Sequence, residues 1–407
     1  MRRHRECDRD ASRPRYEVAD VFRSHGEAYR ANHVLTSVQY KAMRAIESCR
    51  TAVLGGHVDQ CLDCGYERPS YNSCCNRHCP KCQSLAQNKW LEKRMQRVLP
   101  VHYFHAVFTL PHVLLPLARL NPQLIYSLLL RCAGQTLVAL GRDPKRLGAL
   151  LGVTAVLHTW TRDLRLHPHA HCIVTGGGLA HDGLKWIDTK QNHLFPVKVL
   201  GRLFRGKFVA GLTGLLSRGE LVLPHSADAS TFLGSLKRPL FKKNWVVYVK
   251  RPFAGPELLF AYLGRYTHRV GISNHRLLNV TDDAVTINTR GDDTVTMTPQ
   301  SFIERFLLHI LPSGFTKIRH YGLMASSNAA KLELARRLLL ELPSVSKPAL
   351  PENRQNETDD DWRIRMLLLT GIDLRRCPAC SGYCLVRRPL KTHYHPRAPP
   401  QRKELSP

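Results

Sequence analysis

In the stretch LRLHPHAHCIVTGGGL, Leu164 to Leu179, three histidines stand at alternate positions: His167, His169 and His171. Residues two apart in an extended chain share one face, so His169 and His171 can aim their imidazoles at one ion. Ala170, Cys172 and Val174 then point the other way, into a packed layer. The Gly176-Gly177-Gly178 run is expected to end the strand and to admit a close approach to the backbone. A divalent ion on this pair would polarise a phosphate and neutralise charge developing on its oxygens. For a third ligand His167 has the right parity, although Pro168 interrupts the ladder; His158, Asn274 and His275 are the other candidates.

Cysteines form a second constellation. Cys61, Cys64, Cys74, Cys75, Cys79 and Cys82 crowd one short segment, and Cys377, Cys380 and Cys384 another. Cys61-x-x-Cys64 and Cys79-x-x-Cys82 are the spacing of two tight knuckles that together complete a tetrahedral four-thiolate site, which zinc takes in preference to hard cations. The expected structural zinc ligands are therefore Cys61, Cys64, Cys79 and Cys82, with Cys74, Cys75, His57 and His78 within reach as replacements. Cys377 and Cys380 supply half of a second site, which His393 and His395 could complete.

The third pattern is a tyrosine pair. Tyr262 and Tyr266 are four apart in FAYLGRYTHRV and share one face of a helix, among Arg265, His268 and Arg269. An apolar core face is rarely studded with Arg and His. A tyrosine hydroxyl could attack phosphorus in line and displace a 3'-hydroxyl. With a phenol pKa of about 10, the resulting phosphotyrosine stays reactive toward a returning hydroxyl.

Charge narrows the partner. The 60 Lys and Arg residues against 32 Asp and Glu give a formal charge of +28, far more than solubility needs, so a polyanion is expected, nucleic acid first. Arg77 and Lys81 in the cysteine module, with Arg265 and Arg269 beside the tyrosines, are the expected phosphate contacts. The sequence has no apolar run long enough to span a bilayer and no secretory signal, which points to the cytoplasm, at the nucleoid during action. In that compartment thiols stay reduced, so metal ligation explains the cysteines better than disulfides do.

These residues need elements to hold them. Helical spacing from Val18 to Cys49 gives an N-terminal helical segment, 1–50, followed by a zinc-binding, DNA-binding module, 51–99. YFHAVFTLP, VTAVLHTWTR and the histidine segment read as strands, as do NWVVYVKRP, AVTINTR and TVTMTP, the last two flanking a hairpin turn. NPQLIYSLLLRCAGQTLVAL opens with Asn and Pro and reads as a buried helix. Strands and helices without regular alternation favour, over 100–312, one domain of α+β class with a largely antiparallel sheet. A helical region at 313–343, a polar linker at 344–361, and a C-terminal CxxC segment with a basic tail at 362–407 complete the chain.

CRTAVLGGHVDQCLDCG, YNSCCNRHCPKCQ, YFHAVFTLP, LHPHAHCIVTGGGL, YLGRYTHRVGISNHRL and TGIDLRRCPAC run in this order from Cys49 to Cys380. In this ordered set the chain resembles the rolling-circle transposases of the insertion-sequence ninety-one family, two-tyrosine members of the HUH (His-hydrophobic-His) single-strand endonucleases. The resemblance implies an antiparallel-sheet HUH endonuclease domain with Mg or Mn on His169 and His171 and Tyr262 and Tyr266 as catalytic tyrosines. It also implies 5'-phosphotyrosine intermediates, single-stranded transposon ends and target DNA as partners, and host replication proteins alongside. Two alternatives stay open: a rolling-circle replication initiator with the same nicking chemistry, and a non-catalytic zinc-dependent DNA-binding protein.

Overall fold

The computed structural model describes residues 14–82, 97–190, 193–224, 229–242, 244–253, 271–341, 367 and 373–390. Its strands, in chain order, are β1 (Gly56–Cys61), β2 (Glu67–Tyr71), β3 (Tyr103–Thr109), β4 (Ala149–Trp160), β5 (Leu166–Ala180), β6 (Trp186–Asp188), β7 (Val247–Phe253), β8 (Leu277–Val280), β9 (Val285–Arg290), β10 (Asp293–Met297), β11 (Ile318–Gly322) and β12 (Leu385–Leu390). The fold is α+β. Among the described residues all strand pairs are antiparallel, in three sheets: β11-β4-β5-β3-β7 with β6 on β5, β10-β9-β8, and β12-β1-β2.

The large sheet follows from its period-two pattern. On one face Phe104, Ala106, Phe108, Val153, Ala155, Leu157, Ala170, Cys172 and Val174 are fully buried against helices Pro122–Arg142 and Val197–Ser217. Each large side chain buried there contributes about 1.5–3 kcal/mol. Helix Pro122–Arg142 begins with Pro in its first turn and buries Ile125, Leu129, Cys132, Ala133, Thr136, Leu137 and Leu140 at helical spacing. Asn121 precedes it without capping through its side chain. Its amide instead exchanges hydrogen bonds with the Val222 backbone, 2.7 and 2.8 Å. By length and composition this helix could cross a membrane, yet it is a packed core element of this fold.

The opposite face is covered unevenly. Toward the Ala180 end of β5, Tyr103, Ile173 and Leu179 pack with Leu323, Met324 and helix Ala329–Glu341. The histidines stand toward the other end. Contrary to expectation, Gly176, Gly177 and Gly178 do not end β5, which runs on to Ala180. A Cβ at Gly176 would lie 2.2 Å from His102 Nε2, one at Gly177 2.4 Å from Trp186 Nε1, and one at Gly178 2.7 Å from the Leu150 carbonyl. The glycines admit this chain's own neighbours rather than an outside ligand.

Two further boundaries differ from those read in the sequence. The N-terminal helices Val18–Asn32 and Ser37–Ser48 share a core with β8, β9 and helix Pro299–Leu307, where the Phe22 and Phe306 rings meet edge to face at 5.3 Å. They are therefore not set apart from residues 272–307. The 313–343 region is not wholly helical either, because β11 pairs with β4 as an edge of the large sheet. The 344–361 linker lies outside the described residues.

Candidate metal centre and cysteine clusters

Antiparallel register assembles the histidine site. His158 on β4 lies directly opposite His169 on β5, and one ring nitrogen from each of His158, His169 and His171 falls within 4.8 Å of the others. Cross-strand neighbours sit about 5 Å apart, whereas residues four apart along one strand are separated by about 13 Å. The third imidazole therefore comes from the adjacent strand, while His167, whose ring neighbours those of His169 and His112 at 5.2 and 6.0 Å, does not bring a nitrogen into the group. A bulge explains why. Between the pairs His158↔His169 and Trp160↔Leu166, β5 carries one residue more than β4, at His167 and Pro168. Pro168 has no N–H for the ladder. Of the other sequence candidates, Asn274 is buried with Oδ1 accepting from the Val18 amide, 3.1 Å, and His275 is exposed away from the cluster.

A shell of hydrogen bonds orients the cluster. The His169 Nδ1 donates to the His167 carbonyl, 2.6 Å, which directs Nε2 toward the shared point. His171 Nδ1 is hydrogen-bonded to Nε2 of His105 on β3, 2.7 Å, with the rings stacked. His105 was not singled out in the sequence, although its position in YFHAVFT places it on the same face as His171 through the Val107↔His171 pair. Trp160 stacks on His158 at 4.9 Å, and the Lys317 ammonium lies over the Trp160 ring at 5.1 Å. Burial, opposed by the bond to His167 and aided by its ring, lowers the His169 pKa to about 4. Burial also holds His171 well below its usual value, with His169, His105, Lys250 and Lys317 acting the same way. The Lys317 pKa falls to about 7, through burial and then Arg77. Near neutral pH His169 and His171 are thus uncharged and can donate lone pairs, which fits a divalent cation.

The cysteines group differently from the expectation. Cys61, Cys64, Cys79 and Cys82 do not converge. Cys79 and Cys82 join Cys49 and Cys74, and Cys61 and Cys64 join Cys377 and Cys380, each set with all four sulfurs within 4.8 Å of one another. The cause is the β1–β2 hairpin, whose turn carries Cys61 and Cys64 to one end while β2 returns the chain to the other. Roughly 17 Å of strand separates those ends. There the Arg50 amide donates to the Asn72 carbonyl, 3.1 Å, and brings Cys49 to the knuckle of Cys79 and Cys82. Cys49, the member of that cluster missed in the sequence, belongs to no CxxC pair, so spacing did not mark it.

Of the replacement ligands, Cys74 joins the Cys49 cluster, whereas Cys75 and His78 have other partners. Cys75 is exposed and contacts Ser73, and the buried His78 uses Nε2 to accept from the Leu311 amide, 3.0 Å. None of the described cysteines is in a disulfide. Two expected phosphate contacts have internal partners as well: Arg77 donates to the Phe315 carbonyl, 2.8 Å, and Lys81 pairs with Glu17. Tyr262, Tyr266, Arg265 and Arg269 lie outside the described residues, as do His393 and His395.

Comparisons with known proteins bear on both regions. A family model described as "Putative transposase" matches residues 152–331, which include all three clustered histidines, and one described as "Transposase zinc-binding domain", of IS91 type, matches residues 21–110. A Sinorhizobium fredii (strain NBRC 101917 / NGR234) protein named "Putative transposase y4qJ" is 46% identical over 376 residues, 89% of this chain and 92% of its own. The "Transposase for insertion sequence element IS801" of Pseudomonas savastanoi pv. phaseolicola is 27% identical over 303 residues, 72% of each chain. No solved structure matches.

Proposed function

This chain belongs to the IS91 family of transposases, and on that premise we propose that it nicks and rejoins single-stranded DNA at transposon ends through covalent 5'-phosphotyrosine intermediates, in rolling-circle transposition. As a transposase it acts on DNA, and its N-terminal module binds zinc. The observation that supports the finer reading is the convergence of His158, His169 and His171 from adjacent strands.

These three imidazoles would hold Mg or Mn. The bound ion supplies charge neutralisation at the scissile phosphate. His105 and the His167 carbonyl keep the ligand rings oriented, and the nearby Lys250 adds positive charge around the phosphate. The tyrosine role rests on the likeness of YLGRYTHRV to the family. The hydroxyl oxygen of Tyr262 or Tyr266 bonds to phosphorus as the bond from phosphorus to O3' breaks. The 3'-oxygen leaves with a proton, and the 5'-phosphate remains esterified to tyrosine. Attack by a returning 3'-hydroxyl reverses the exchange and restores the phenol. Two tyrosines allow one to keep a cut end while the other cuts again. Cys49, Cys74, Cys79 and Cys82 would hold the zinc of the N-terminal module, with the Lys81 amide directed at the Cys79 sulfur, 3.4 Å. The site of action is the cytoplasm, at nucleoid DNA, beside host replication proteins.

The test is incubation with single-stranded DNA from the element's own ends, with and without Mn or Mg, followed by a denaturing gel. A metal-dependent covalent adduct, lost in Tyr262→Phe/Tyr266→Phe while DNA binding persists, is expected. Binding without any adduct on authentic ends would sink the phosphotyrosine reading.

A further inference from the structure

The CxxC near the end of the chain has a structural complement far away in sequence. Cys377-x-x-Cys380 faces Cys61-x-x-Cys64, with Cys61 and Cys380 sulfurs 3.6 Å apart and those of Cys64 and Cys377 3.7 Å apart. Four thiolates around one zinc at about 2.3 Å from each sulfur place sulfurs about 3.8 Å from one another. The two turns also share a backbone design. The Gly65 amide donates to the Cys61 carbonyl, 3.0 Å, as the Ser381 amide does to the Cys377 carbonyl, 2.9 Å. The Cys61 amide donates to the Tyr66 carbonyl, 2.8 Å, as the Cys377 amide does to the Gly382 carbonyl, 2.7 Å. The residue after each second cysteine is left-handed, with φ of 72° at Gly65 and 64° at Ser381.

The surrounding sheet brings the knuckles together independently of any metal. β12 pairs with β1 from Cys61↔Leu385 to Gly56↔Leu390, so its first residue follows the second knuckle and meets the last residue of β1. Across the middle of that sheet, buried Asp59 accepts from Arg387 of β12, 2.7 Å, and from Arg68 of β2, 3.0 Å. Arg68 donates further to the Leu374 carbonyl, 3.1 Å.

We propose that Cys61, Cys64, Cys377 and Cys380 bind a second zinc ion, separate from that of Cys49, Cys74, Cys79 and Cys82, and that this ion fastens the C-terminal segment into the N-terminal module. The zinc-binding family match ends at residue 110 and does not reach the two distal ligands. The module is thus built from both ends of the chain, with the sheet domain between them as one closed loop. Removing the ion frees the C-terminal segment from its metal tether.

Zinc counted by native mass spectrometry of the full chain tests this. Two ions are expected in the wild type and one in Cys377→Ser/Cys380→Ser. A single ion in the wild type, or two in that variant, would overturn the second site. A measurement on the wild type alone guards against a variant that fails to fold. The zinc-loaded chain is titrated with a chelator, and iodoacetamide labelling is mapped by mass spectrometry. Cys61, Cys64, Cys377 and Cys380 should become reactive together. Labelling of Cys377 and Cys380 at the free-thiol rate while Cys61 and Cys64 stay protected would refute the shared ion.

Discussion

At the scale of the residue, the histidine site separates groups that bind from groups that orient. His158→Ala should abolish metal-dependent cleavage, because two imidazoles on one strand are a weaker chelate than three across two strands. A variant that cleaves with the wild-type metal dependence would remove His158 from the ligand set. His105→Ala should leave cleavage intact at saturating metal but weaken Mn binding about 10–100-fold, the usual effect of losing a partner that orients a ligand. A Mn titration of cleavage reads this, and an unchanged midpoint would mean that the 2.7 Å contact with His171 does not act on the metal. The His-x-His pair itself was legible in the sequence, since strand parity is a local property. His158 was only one of several candidates and His105 went unnoticed, because both depend on strand register.

At the scale of the element, glycines and the hairpin carry the argument. Gly176→Ala or Gly177→Ala should destabilise the fold by about 1–3 kcal/mol, because each new methyl meets a ring already packed against the backbone. Denaturant unfolding measures this, and unaltered midpoints would show that His102 and Trp186 move aside easily. In the β12-β1-β2 sheet, Asp59 lies between Arg68 and Arg387. Burial opposes its ionisation, but hydrogen bonds from Arg387 and Arg68 prevail and hold its carboxyl below the usual range. Asp59→Ala would remove the buried carboxylate that the Arg68 and Arg387 guanidiniums share, and a cost of about 1–3 kcal/mol is expected in the same assay. The two CxxC motifs of the N-terminal module are evident in the sequence, but their pairing is not. A double CxxC looks like one site until a strand is known to lie between its halves.

For the whole molecule, charge and burial set the solution behaviour. A chain of charge +28 should bind single-stranded DNA with a steep negative dependence of log affinity on log salt, losing about 0.7 in slope for each phosphate contact removed. Arg77→Ala is expected to lower the unfolding midpoint and leave that slope unchanged, since its guanidinium is committed to the Phe315 carbonyl. A slope smaller by about 0.7 would place Arg77 on a phosphate instead. Acid should act through buried His309, whose Nε2 donates to the Leu164 carbonyl while Nδ1 accepts from Thr159. Burial lowers its pKa to about 4, against a weaker opposing effect of the Leu164 bond. Between about pH 6.5 and 4 the unfolded chain takes up a proton that the folded chain refuses, so stability is full above that window and falls as pH drops through it. His309→Gln should flatten the decline, and a decline as steep as the wild type's would assign it to other groups.

The sequence by itself determined the long buried helix Pro122–Arg142, the strands β3, β4, β5, β7, β9 and β10, the face of β5 that carries imidazoles, the abundance of zinc-type thiolates, the positive charge and the family likeness. The family likeness is written in an ordered set of motifs, and the others in composition, in CxxC spacing or in periods of two and 3.6 residues. Tertiary structure decided which ligands meet: His158 with His169 across a strand pair, Cys49 with Cys79, and Cys61 with Cys380 over a separation of 319 residues. Such partnerships are set by strand register and by the ends to which hairpins deliver their residues. Both arise from packing among distant segments, so local spacing does not encode them.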